Sequence, residues 1–352
     1  MSAPTAVCVV GAGFWAQEMH LPAFAEIDDA TVVALVGPDR ERTEQVAERF
    51  GVPKVYADVA EALADDDVEV LDVVAPNDVH APAVIAAARA GRHSICIKPL
   101  GRDLGEATSM LEAVKASGTR LLYAENVPFI PAVQEAKRIV GEGSLGRIFR
   151  VKACEGIPGP HTKWAFDRQR SGGGALVDMA VHSIEFCRSF VDADVEYVFA
   201  EGGTFKWGAR TEAEDTVVLT LRFADGSIGQ CEDSWSLAGA MDSRFEVFGT
   251  NGRILIDNLH RQPIQVVTAQ GAGGQWSYPM PLPGMIADGH LAMLRDFVTC
   301  LRTGSPCGSE GHHGWEVLAV VDAALRSMKS GRREAVATQE RGKPSNQSQE
   351  RA

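Results

Sequence analysis

The chain has 352 residues, 45% hydrophobic and 23% charged, the balance of a globular protein of about two domains. Its 34 basic and 47 acidic side chains give a net charge of −13. That leaves no basic excess for a nucleic-acid backbone or an anionic membrane, so neither is an expected partner. The N-terminal segment carries no basic leader and no apolar run reaches a spanning length of about 18 residues, so a cytoplasmic location is expected. Seven scattered cysteines without a Cys-x-x-Cys point to reduced, buried thiols rather than a disulfide framework or a metal site.

Val7–Val10 reads as a strand buried on both faces, because apolar residues follow one another without polar alternation. It runs into Gly11-Ala12-Gly13-Phe14-Trp15-Ala16, a G-x-G-x-x-A turn. Gly11 and Gly13 permit a sharp turn and close backbone approach. A helix starting near Phe14 would offer free N–H groups, including those of Phe14 and Trp15, to a dinucleotide pyrophosphate. Strands then alternate with helical patterns: strand 32–36, helix 41–50, helix 59–64, strand 68–75, helix 81–90, strand 94–97, helix 104–117, strand 120–124. This rhythm predicts a parallel sheet covered on both faces.

Beyond Phe129 the rhythm changes. A helix over 131–141 and a strand over 147–156 precede a Gly/Pro-rich loop and a helix over 174–190. Strand patterns follow at 195–201, 216–223, 227–235, 243–249, 253–257 and 264–268, joined by short turns such as Asn251-Gly252. Helices over 289–303 and 315–331 close the chain. The expected organisation is an α/β Rossmann domain over 1–125, an α+β domain with a mostly antiparallel open-faced sheet over 126–333, and a polar, disordered tail over 334–352. The uncovered apolar sheet face predicts a homo-oligomer, a dimer or tetramer.

Three segments besides the glycine turn carry candidate chemistry. Lys98, followed by Pro99, lies where a strand's carboxyl end meets the ligand crevice of a parallel sheet. A lysine there holds a substrate oxygen or donates a proton. Asp178 and His182, after Gly172-Gly173-Gly174, are four residues apart and share one helix face. Histidine suits proton transfer near neutral pH. With no third His or Cys nearby, this pair is not expected to bind a metal. Pro76 and Asn77 follow the third strand, with His80 just beyond.

These motifs, in order, resemble the glucose-fructose oxidoreductase / inositol dehydrogenase / MocA family, over about residues 5–328. They are the G-x-G-x-x-A turn, Pro76-Asn77-x-x-His80, Lys98-Pro99, Leu145-Gly146-Arg147-Ile148, Trp164, and Gly172-Gly173-Gly174-Ala175-Leu176-x-Asp178-x-x-x-His182. The resemblance implies an oxidoreductase that moves a hydride between NAD or NADP and a secondary alcohol of a sugar or cyclitol. It assigns Lys98, Asp178 and His182 to catalysis, with Asp178 gripping a neighbouring hydroxyl and the imidazole. Pro76, Asn77, His80, Ile97 and Lys98 fall with the cofactor residues, Asn126 falls near the nicotinamide, and His161, Lys163 and Trp164 lie in the loop that reaches the substrate. The sequence departs from the family twice. Ile97 stands where a glutamate usually precedes Lys-Pro, and Gly37 stands where an acidic residue often ends the second strand. Asp39 is then the candidate for the ribose hydroxyls, and Arg40 or Arg42 for a 2′-phosphate. A non-catalytic dinucleotide or sugar sensor of the same fold is the competing expectation, favoured by Ile97.

Overall fold

The computed structural model describes residues 3–260, 262–269, 276–279 and 286–339. The N-terminal half is a six-stranded parallel sheet in the order β3-β2-β1-β4-β5-β6. Its strands are β1 (Thr5–Val10), β2 (Ala30–Val36), β3 (Lys54–Tyr56), β4 (Val70–Val73), β5 (His93–Ile97) and β6 (Leu121–Ala124). The crossovers carry α1 (Leu21–Ala25), α2 (Arg40–Phe50), α3 (Val59–Leu63), α4 (Asn77–Arg89) and α5 (Leu104–Ser117). Asp39, Asp58 and Asp103 cap α2, α3 and α5 by accepting backbone N–H groups. The first helix departs from the simple pattern. Between the glycine turn and α1, Ala16–His20 is a π-helical turn, a form often found beside functional sites.

The five expected strands are present, and β3 is an addition. It is only three residues long and half-buried, so no apolar run announces it. Lys54 Nζ lies 2.7 Å from both Asp65 and Asp67.

The second half contains α6 (Pro131–Gly141), α7 (Arg168–Ser171), α8 (Ala175–Asp178), α9 (Ala180–Ser189), α10 (Ile286–Thr303) and α11 (Gly311–Ser330). Its eight strands are β7 (Ile148–Gly156), β8 (Val195–Gly203), β9 (Thr216–Phe223), β10 (Ile228–Ser234), β11 (Asp242–Gly249), β12 (Gly252–Asp257), β13 (Ile264–Thr268) and β14 (Glu334–Ala335). They form one sheet in the order β13-β12-β11-β7-β10-β9-β8-β14. All pairs are antiparallel except β7 with β10. The polar segment expected to be a disordered tail from 334 thus begins as an edge strand on β8. Backbone pairing does not require an apolar pattern, which is why composition misread it. Residues 340–352 lie outside the described residues.

Period-2 alternation sets the two faces of this sheet. In β9, Val217, Leu219, Leu221 and Phe223 are buried while Val218, Thr220 and Arg222 face outward. The buried face packs under α9 and α11. Helix α11 also lies on α5 and β6, where Trp315 Nε1 donates to Thr108 Oγ1 at 2.9 Å. One continuous apolar cluster therefore joins Val10, Val73 and Tyr123 of the first half to Leu176, Leu219 and Val320 of the second.

Candidate active site

The glycine turn is built for close approach. Gly11 has φ +119°, and a Cβ there would sit 2.2 Å from the Val74 carbonyl oxygen. The turn after β1 thus rests on the end of β4 with no room for a side chain. Gly13 has nothing within 4 Å of an added Cβ, so the turn is open where the helix begins. An open glycine turn leading into unpaired first-turn N–H groups fits a dinucleotide pyrophosphate. At the end of β2, Asp39 Oδ1 accepts from Arg42 N at 3.2 Å, and Arg40 Nε pairs with Glu44 at 2.8 Å. All three of Asp39, Arg40 and Arg42 are exposed.

Two residues expected at the cofactor are committed elsewhere. His80 is fully buried, with Nδ1 2.9 Å from the Pro99 oxygen and Nε2 2.9 Å from the Ala75 oxygen. It braces the two loops and presents nothing to a ligand; burial pushes its pKa down. Asn77 is buried and donates its Nδ2 to the Ser171 oxygen at 2.8 Å, tying the N-terminus of α4 to the second half of the chain. Pro76 precedes that helix as its cap.

Lys98, directly after β5, meets the second domain. Its Nζ donates to Asp178 Oδ1 at 2.8 Å and to the Asp178 carbonyl at 2.6 Å. The Lys98–Pro99 peptide is cis. Trp235 Nε1 donates to the other carboxylate oxygen of Asp178 at 2.8 Å. Burial opposes ionisation of Asp178, but Lys98 beside it and these two hydrogen bonds hold its pKa below the usual range. The helix expected over 174–190 is interrupted at Met179, which separates α8 from α9. His182 stands in the first turn of α9, one turn beyond Asp178. Contrary to expectation its imidazole is not held by Asp178, whose two oxygens accept from Lys98 and Trp235. Its Nδ1 lies 2.8 Å from Glu125 Oε1 instead.

Lys98, Asp178 and His182 line one cavity of about 230 Å³, together with Phe14, Trp15, Ile97, Asn126 and His161. The ring of Phe14 stacks on His161 with centroids 5.6 Å apart. Lys163 and Trp164 are not in this wall. Lys163 is exposed, and Trp164 packs behind the wall against the cluster of Ile157, Met179 and Trp235. Sequence reasoning missed Glu155, Ser243 and His290, which also line the cavity. Glu155 ends β7 and is buried. Burial pushes its carboxyl up to about 7, against the charge of His182 and the hydrogen bond from Ser243. Ser243 Oγ donates to Glu155 Oε1 at 2.5 Å and accepts from Asn258 Nδ2 at 2.9 Å. A larger cavity, about 640 Å³, lies between α9 and α11. Arg188 pairs there with Glu185 and Glu316, Lys137 also lines it, and none of the candidate residues enters it.

The family model for the NAD-binding Rossmann fold of the GFO/IDH/MocA oxidoreductases matches residues 5–125, and that for the GFO/IDH/MocA C-terminal domain matches 133–255. The chain belongs to the Gfo/Idh/MocA family. Among its relatives is the myo-inositol 2-dehydrogenase of Thermotoga maritima, 29% identical over 89% of this chain and 93% of that protein. The levoglucosan dehydrogenase of Pseudarthrobacter phenanthrenivorans is 29% identical over 84% of this chain and 86% of its own length. A solved structure of levoglucosan dehydrogenase with NADH and levoglucosan superposes with a TM-score of 0.88 at 27% identity, covering 95% of this chain and 100% of that one. GenD2 from gentamicin A biosynthesis, in complex with NAD, gives 0.86 at 28% identity, over 96% of this chain and 98% of that one. This Gfo/Idh/MocA protein is accordingly an NAD(P)-dependent oxidoreductase. Among the described residues no helix is long and apolar enough to cross a membrane.

Proposed function

We propose that this enzyme interconverts a secondary alcohol and a ketone on a sugar, sugar derivative or cyclitol, with Lys98, Asp178 and His182 as its catalytic residues. The observation that carries the reading is the convergence of these three side chains, from β5, α8 and α9, on one cavity beside the glycine turn. The nicotinamide, when bound, supplies or accepts the hydride. The protein's part is protonic and electrostatic. His182 takes the hydroxyl proton in the oxidative direction and returns it in the reductive one. The Lys98 ammonium, 11% exposed, stabilises negative charge on the reacting oxygen. Asp178, fixed by Lys98 and Trp235, orients the lysine and accepts a neighbouring hydroxyl. Glu155, on another wall, offers a carboxyl to a further hydroxyl, as a polyol requires. Gly11, Gly13, Phe14, Trp15, Ile97 and Asn126 form the cofactor side, and His161 the substrate side.

The test is a screen of sugars and cyclitols with NAD and with NADP, read by absorbance of the reduced nicotinamide. Turnover on at least one polyol is expected. Tight cofactor binding with turnover only on non-polyol alcohols overturns the substrate reading.

The outward face of the large sheet supports self-association. It carries the exposed Tyr197, Phe199, Val218 and Ile228 beside Arg150 stacked 3.9 Å over Phe248. A second copy pairing there removes this apolar surface from water. Light scattering of Val218→Glu is expected to show a smaller species than the wild type; an unchanged mass places the contact elsewhere.

A further inference from the structure

His182 has a partner outside the trio that carries the proposed chemistry. Glu125 follows β6, is fully buried, and lies 57 residues away in sequence. Its Oε1 accepts the backbone N–H of Val127 at 2.9 Å as well as facing His182 Nδ1 at 2.8 Å. The bond to Val127 fixes the carboxylate to its own turn, so its place is set by the backbone and not by the imidazole. Its Oε2 is buried without a partner. A carboxylate only accepts hydrogen bonds. The Nδ1 of His182 therefore carries a proton toward Glu125, and Nε2 is left as an acceptor on the other edge of the ring.

We propose that Glu125 is the positioning residue of the active site, fixing the tautomer and orientation of His182 so that Nε2 exchanges the proton with the substrate hydroxyl. This rests on the reading of His182 as the acid–base group. The electrostatics agree. Burial alone pushes the Glu125 carboxyl up, yet the neighbouring His182 and Lys98 charges and the hydrogen bonds from His182 and Val127 hold it below the ordinary range, so it stays ionised. The other titratable groups lining the cavity with His182 are Lys98 after β5, Asp178 at the end of α8, Glu155 near the end of β7, His161 and His290.

The experiment compares Glu125→Gln, Glu125→Asp and His182→Ala with wild type on a polyol from the screen. NADH or NADPH fluorescence titration reports whether each variant keeps its cofactor site. Glu125→Gln is expected to lose about 10²-fold or more in kcat, since its amide no longer imposes one tautomer, while the cofactor Kd stays within about twofold. The acid limb of kcat/KM should move to lower pH, because the removed carboxylate favoured protonation of its neighbour. Glu125→Asp restores the charge, and with it the position of the limb and part of kcat. Unchanged kcat and limb in Glu125→Gln overturn the proposal. So does a Glu125→Asp limb displaced from that of wild type, an outcome still readable if the glutamine variant does not fold. Full activity in His182→Ala overturns the underlying acid–base reading instead.

Discussion

The indole of Trp235 and the ammonium of Lys98 grip opposite oxygens of one carboxylate, Asp178, each at 2.8 Å. A buried anion with two such donors is both oriented and kept charged. Trp235→Phe removes one donor and leaves the ring volume largely filled. The expected cost is about 1.5–3 kcal/mol in denaturant unfolding. Asp178 is a carboxyl depressed by the fold, so its stabilisation is present above its unfolded pKa and is lost as pH falls through the folded value. In the variant that contribution should be smaller and be exhausted at a higher pH. An acid-unfolding profile identical to wild type contradicts this account.

Lys98→Ala and His182→Ala are each expected to lower kcat by about 10²–10⁴-fold. If, as proposed, both groups act on the reacting oxygen, the KM for the cofactor should change little. Steady-state kinetics at saturating dinucleotide decide the point; turnover near wild type in either variant removes that residue from the chemistry.

Glu155 makes the opposite contribution to Asp178. Its pKa is pushed from an ordinary 4.5 to about 7, so the native state holds a proton that the unfolded chain releases. The stabilisation is complete at the lowest pH, declines as pH rises from about 4.5 to about 7, and is then exhausted. Its span is on the order of 3 kcal/mol. The difference in Tm between wild type and Glu155→Gln, followed across this window, should trace that slope. A constant difference shows that the carboxyl does not change its protonation there.

Asp39 has two duties that can be separated. It caps α2, and we expect its charge at the end of β2 to favour NAD over NADP. Asp39→Ala should cost about 1 kcal/mol through the lost cap and narrow the NAD/NADP ratio of kcat/KM by about tenfold. Asp39→Ser keeps a capping oxygen without the charge, so it should recover the stability and not the preference. If serine restores both, the carboxylate plays no part in dinucleotide choice.

The Rossmann half was legible because its signals are local: apolar runs for strands, 3.6-residue periodicity for helices, and glycines where the chain must turn. Lys98, Asp178 and His182 could be singled out for the same reason, each lying at a recognisable element end. What holds them could not. Trp235 reaches Asp178, and Glu125 reaches His182, each across 57 residues, and no spacing rule links them. The imidazole was thus given the wrong carboxylate. His80 joined the cofactor set only through the family motif, and burial with two carbonyl neighbours makes it structural. Lys163 and Trp164 were sited by their loop, and the loop turns one aside and sinks the other into apolar packing.

Helix α11 packs on the large sheet and on α5 and β6 at once, so the two halves are cemented by one apolar mass. Heating should accordingly melt the molecule in a single step, with neither half outliving the other.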